Sequence, residues 1–214
     1  QQERIDFGIK FGTVLSQFSE EQPYTNVSQG IMGGSFVAYH FSKVFSLQIE
    51  GNYIQQGGRN NRFDIPAFHG LENWYQMKLE NQEIIMHNIE VPLLAQFSID
   101  LKEGEFTLGV GPAFSYNLGT GILTEGTVFA SETNEFHTFK EEENISSVIN
   151  SYEYSAIGSL KFEFLAFGNH SLFVEGRYKY GLSDVYEGYS YVRIPQIQAD
   201  LKNHYMSFAL GFSF

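Results

Sequence analysis

The 214-residue chain has no cysteine, one tryptophan, five prolines and no apolar run near the roughly 18 residues of a membrane-crossing helix. Lacking cysteine, it has no disulfide framework, Cys-based zinc site or cysteine nucleophile. Basic residues are also scarce: 13 Lys+Arg stand against 25 Asp+Glu, a net charge of -12. That balance argues against a nucleic-acid partner, because phosphate neutralisation relies on Lys and Arg. The missing apolar run excludes a helical membrane protein but leaves open the other solution that satisfies the backbone in lipid, a closed barrel. What is abundant is 21 Phe, 13 Tyr and 21 Gly, and their positions carry the reading.

Apolar residues alternate with polar or tiny ones at period two, the strand signal, over eight segments: about 5–15, 31–41, 45–53, 85–99, 106–118, 152–164, 172–180 and 204–214. In the first, Ile5, Phe7, Ile9 and Phe11 oppose Asp6, Gly8, Lys10 and Gly12; in the last, Met206, Phe208, Leu210, Phe212 and Phe214 oppose Ser207, Ala209, Gly211 and Ser213. The segment 31–41 is the weakest, since Phe36 falls opposite Val37, Tyr39 and Phe41. Long polar stretches (16–30, 54–84, 119–151, 181–203) alternate with short connections (42–44, 100–105, 165–171), so long loops leave one rim and tight turns the other.

A soluble up-and-down barrel alternates in the same way. Two features separate it from a membrane barrel. The polar face is crowded with Gly8, Gly12, Gly109, Gly111, Ala113, Ser159, Ala209, Gly211 and Ser213, which suits the narrow inside of an eight-stranded barrel better than a surface in water. The aromatics sort into two belts. Phe7, Phe45, Phe97, Phe106, Phe162, Phe164, Phe212 and Phe214 gather at the short-turn rim, and Tyr53, Tyr116, Tyr152, Tyr154, Tyr178 and Tyr180 at the long-loop rim; Tyr39 and Phe114 are exceptions. The expected fold is all-β: one domain over residues 1–214, an eight-stranded antiparallel up-and-down transmembrane β-barrel with long extracellular loops and short periplasmic turns. The start Gln1-Gln2-Glu3-Arg4 shows no basic, apolar leader; a bacterial outer-membrane location implies a signal peptide already removed.

The final strand, with Phe208, Phe212 and Phe214 on one face, resembles the C-terminal targeting strand of bacterial outer-membrane proteins that the barrel-assembly machinery reads. The segments RIDFGIKFGTVLS (from Arg4), FSLQIEGNYIQQGG (from Phe45), HNIEVPLLAQFSI (from His87) and GVGPAFSYNL (from Gly109) resemble the PorT-like family of small outer-membrane barrels of Bacteroidota, of the OmpA/OmpX eight-stranded type. The resemblance spans the strands and not the loops. It implies fold and location and brings no catalytic residues. The expected role is a structural or accessory interaction subunit of a cell-envelope complex, with a link to protein secretion or outer-membrane assembly; the alternatives are extracellular ligand binding or small-solute transport through the loops and lumen, and a lipid-modifying enzyme.

Inward-facing charges form the best-defined candidate constellation: Asp6, Lys10, Glu50, Glu90, Glu153, Lys161, Glu163, Glu175, Arg177 and Lys179. They read either as a gated ion path or as a paired polar plug that holds the barrel together, and the plug is the expectation. A lipid-modifying hydrolase needs a lipid-facing His beside a Ser; His87 and His204 fall on strands half a barrel apart and Ser207 on the opposite face from His204, so no enzyme is expected. GTGILTEGT (119–127) precedes no helix and lacks the lysine of a phosphate loop. No cofactor or metal site is expected.

The long stretches carry the remaining candidates: Phe68, Trp74 and Tyr75 in 54–84, and Glu141, Glu142 and Glu143 in 119–151, where six Glu face Lys140 alone. They read as a binding surface or as a solvated acidic rim facing lipopolysaccharide. Stretches of some thirty residues are rarely structureless in a compact domain, so strand extensions or docking on a partner are expected there. Expected partners are outer-membrane lipid and lipopolysaccharide, the assembly machinery during insertion, and other outer-membrane proteins.

Overall fold

The computed structural model describes residues 5–19, 26–60, 63–64, 68–69, 74–130, 135–167, 170–186 and 201–214. Among these residues eleven strands run in chain order: β1 (Ile5–Phe18), β2 (Ser28–His40), β3 (Phe45–Asn60), β4 (Phe63–Asp64), β5 (Phe68–His69), β6 (Trp74–Leu101), β7 (Gly104–Ala130), β8 (Glu135–Asn144), β9 (Tyr152–Phe167), β10 (His170–Gly181) and β11 (Asn203–Ser213). Eight of them close a ring in the order β6-β3-β2-β1-β11-β10-β9-β7, sealed by the β6–β7 pairing, with every pairing antiparallel. Closure leaves the ring no unpaired backbone edge, the condition lipid imposes.

The two faces follow the period of the chain. Along β1, Ile5, Phe7, Ile9 and Phe11 are exposed while Lys10 and Val14 are fully buried; along β11, Met206, Phe208 and Leu210 are exposed and Tyr205 and Ser207 buried. Apolar side chains therefore clothe the outside and polar ones fill the inside, the reverse of a soluble barrel. At the short-turn rim Phe41 stacks on Phe45 at 5.5 Å and Phe45 meets Phe97 at 5.3 Å. At the other rim Phe114 contacts Tyr152 and Tyr154 at 5.5 Å, and Tyr116 contacts Tyr152 at 5.4 Å. Amphipathic rings at these two levels suit the two interfaces of a bilayer.

The strands run past the expected boundaries. The weakly patterned second segment is a full strand from Ser28, and Phe36, whose phase weakened it, points into the lumen at 4% exposure. Residues 54–84 and 119–151 are largely strand rather than loop: β6 has 28 residues and β7 has 27. At about 3.3 Å per residue β6 is about 90 Å long. A tilted crossing of the bilayer uses only about ten residues, so more than half of each strand stands outside it. There β6 and β7 form a raised sheet with β4, β5 and β8. The β6–β7 ladder shifts register at His87/Asn88 and again at Leu79/Asn81. Both ladders of β6 are also interrupted within the barrel, beside Pro92 and opposite Pro112. Neither proline has an N–H to donate.

Candidate functional site

The lumen is filled in successive layers from the short-turn rim upward. At its foot His40 Nε2 lies 2.7 Å from Asp6 Oδ2, and Lys161 Nζ lies 2.8 Å from Glu163, which also accepts a hydrogen bond from the Ser171 hydroxyl. Just inside, Phe36 and Phe173 meet edge to face at 5.7 Å, with the Lys161 ammonium 5.8 and 5.3 Å from the two ring centres. Glycine makes room for this pair. A Cβ on Gly8 would strike the Phe36 ring, and one on Gly211 the Phe173 ring.

Above the rings sits a four-membered charge cluster. Lys10 Nζ donates to Glu175 at 3.0 Å and lies 2.9 Å from Glu50. Arg177 reaches Glu50 at 2.7 Å through Nη2, and Glu175 at 2.6 Å through Nη2 and 2.8 Å through Nε. Gln48 and Asn52 donate to the same two Glu50 oxygens, Oε1 and Oε2, at 2.6 and 2.7 Å. The cluster is neutral, with two cations and two carboxylates, and all four side chains are at most 5% exposed. One level higher, Lys179 Nζ lies 2.7 Å from Glu153 and 3.7 Å from Glu90, while the Tyr205 hydroxyl donates to Glu90 at 2.8 Å and Gln56 to Glu153 at 3.0 Å.

The long-loop mouth is sealed by an apolar cluster that includes Phe18, Ile84, Ile145, Ile149, Val185 and Leu201. Backbone bonds from Asn150 N–H to Val185 O and from Val185 N–H to Leu201 O, each 2.9 Å, tie the contributing loops together.

All ten charges named from the sequence lie on inward-facing strand positions, but the structure sorts them into separate groups. Lys10, Glu50, Glu175 and Arg177 meet; Glu90, Glu153 and Lys179 meet one level up; Asp6 pairs with His40, and Lys161 with Glu163. Sequence reasoning missed Phe36, Phe173, Tyr205 and the amides Gln48, Asn52 and Gln56. The available signal was phase: Phe36 breaks the outward alternation of β2, and Phe173 falls on the same face as Glu175 and Arg177. The two histidines weighed for catalysis belong to the outer aromatic belt. His87 Nδ1 shares a 2.6 Å hydrogen bond with the Tyr53 hydroxyl, and the His204 ring lies 4.6 Å from that of Tyr180. Strands β3, β2 and β1 separate them, and Ser207 faces inward at 2% exposure.

On the raised sheet, Glu141, Glu142 and Glu143 lie on β8, where nearly every residue is exposed. Lys140 donates to Glu125 at 2.7 Å, and this bond, helped by one from Asn81, holds the Glu125 carboxyl below the usual carboxylate range. Phe68 pairs with Tyr75, and His69 with Trp74, as backbone neighbours of β5 and β6. The side chains of Phe68, Trp74 and Tyr75 lie outside the described residues. Phe208 and Phe214 are exposed on the barrel exterior, and Phe214 closes the β1–β11 seam through backbone bonds with Phe7 of 2.8 and 3.1 Å.

A family model described as an outer membrane protein beta-barrel domain matches residues 1–187. No curated protein matches the chain. Among solved structures it is similar to Ail, the attachment invasion locus protein of Yersinia pestis, in complex with a heparin analogue (12% identity, 99% of each chain, TM-score 0.44). It is similar too to the outer membrane protein OprG of Pseudomonas aeruginosa (13% identity, 98% of this chain and 95% of that one, TM-score 0.42). A third is the outer membrane protease OmpT of Escherichia coli (9% identity, 99% and 96%, TM-score 0.38).

Proposed function

Because the chain belongs to the outer membrane protein beta-barrel domain family, we propose that this outer-membrane β-barrel is a non-conducting interaction protein, an accessory subunit of a cell-envelope complex. One observation carries the reading. The lumen is occupied at every level by paired charges, packed rings and an apolar mouth, while β6, β7 and β8 raise a sheet well beyond the bilayer. A polar core of this kind holds the wall together, and the raised sheet presents surface to other molecules.

The complex proposed is one serving protein secretion or outer-membrane assembly. Outer-membrane lipid and lipopolysaccharide face the apolar exterior, and Phe208, Phe212 and Phe214 are the residues for the assembly machinery to read after export behind a cleaved signal peptide. No catalytic role is proposed, since the belt histidines face lipid with tyrosine, not serine, beside them.

Planar-bilayer recordings of the purified protein should show no steady open channel; a large, stable conductance would replace this reading with solute transport. Purification in gentle detergent followed by mass spectrometry should return stoichiometric envelope companions, and a solitary monomer would count against the accessory role.

A further inference from the structure

Strand β8 ends the order of the sheet. It is hydrogen-bonded to β7 along one side, and among the described residues no strand pairs with its other side. A strand of this kind presents a row of N–H and C=O groups that templates pairing with another chain unless the edge is blunted by proline, a bulge or charged side chains, lysine above all. Of these β8 carries only charge, in four glutamates that repel an acidic strand but not a basic one. It has no proline, its register against β7 runs unbroken from Gly121↔Asn144 to Ala130↔Glu135, and its one lysine is held by Glu125 at 2.7 Å.

The charge along this edge is one-sided. Glu135, Glu141 and Glu143 lie on one face by alternation and Glu142 on the other. Among the described residues no cation lies within ion-pair distance of Glu141, Glu142 or Glu143. These three pair opposite Ile122, Leu123 and Thr124, six to eight residues past the belt residue Tyr116, about 20–25 Å along the strand. The edge thus stands clear of the membrane, and no described cation neutralises Glu141, Glu142 or Glu143.

We propose that the edge of β8 left unpaired by the described strands captures an extended, Lys/Arg-rich segment of a partner protein as an added strand. Main-chain hydrogen bonds supply the pairing, and Glu135, Glu141, Glu142 and Glu143 select for basic side chains at cross-strand positions. This rests on the interaction-subunit reading and names the chemistry of the partner.

The test uses the full chain in lipid nanodiscs and a synthetic peptide of about ten residues alternating lysine and threonine, followed by fluorescence anisotropy. The peptide should bind and protect β8 amides from hydrogen exchange. N-methylation of its alternate residues should abolish binding, and E141Q/E142Q/E143Q should weaken it about tenfold, as the two same-face charge pairs lost at 141 and 143 imply. Raising salt from about 50 to 300 mM should weaken it as well. Failure to bind, equal binding of the N-methylated peptide, or equal affinity of the glutamine variant would each overturn the proposal. Co-purification from cells separates this failure from failure of the broader reading. If companions accompany the wild type and E141Q/E142Q/E143Q equally, the β8 site falls and the interaction role stands; if the wild type brings none, the interaction role falls.

Discussion

Arg177→Met is expected to lower the unfolding free energy by about 3–5 kcal/mol, the usual result of deleting one partner from a buried charge network. The guanidinium is the hub of the central cluster, 2.7 Å from Glu50 and 2.6 Å from Glu175, in a space where its side chain is 1% exposed. With Lys10 and Arg177 opposing Glu50 and Glu175, the cluster sums to zero; without Arg177 one carboxylate is left uncompensated inside a membrane-embedded lumen. The double change Arg177→Met/Glu175→Leu removes one charge of each sign and leaves Lys10 and Glu50 at 2.9 Å. It should recover most of the lost stability, since matched replacement of a buried pair by apolar groups is often neutral. Urea titration in phospholipid vesicles measures both variants. A double variant no more stable than the single one would show that packing, not charge balance, sets the cost.

The aromatic layer below should respond to exchange of a ring between strands. Phe173→Ala is expected to cost about 3–5 kcal/mol, as removal of a large buried ring does. Gly211→Phe alone should cost about 1–3 kcal/mol by overpacking, because a Cβ there already meets the Phe173 ring. Phe173 and Gly211 are direct cross-strand partners on the same inward face. Phe173→Ala/Gly211→Phe therefore returns one ring to the same level of the lumen from the neighbouring strand, and the double variant should be markedly more stable than the sum of the single losses predicts. Strict additivity in the same titration would mean that the plug depends on which strand carries the ring.

Legibility in the sequence follows the physics of each region. Within the bilayer one face of every strand meets lipid and the other a narrow lumen, so Ile9, Phe11 and Leu210 alternate with Lys10, Gly12 and Gly211 and the strands announce themselves. Above the bilayer both faces of a strand meet water or loop, so period two loses its cause. The outer halves of β6 and β7 and the whole of β8 accordingly read as polar loop. Phe36 misled for a related reason: a lumen wide enough for a pair of rings accepts apolar side chains inward, and the sequence does not say which inward position is left open for them by glycine on the strand beside it.

Composition and alternation were enough to establish an eight-stranded outer-membrane barrel with charges facing inward, because the bilayer imposes the same two-residue period on every strand that crosses it. Only the tertiary structure decided that Lys10 meets Glu175 across 165 residues and Arg177 meets Glu50 across 127, and that β8 ends a raised sheet with one side unpaired among the described residues. Those depend on the stagger of strands around a closed ring and on pairing beyond the membrane, which no local pattern encodes.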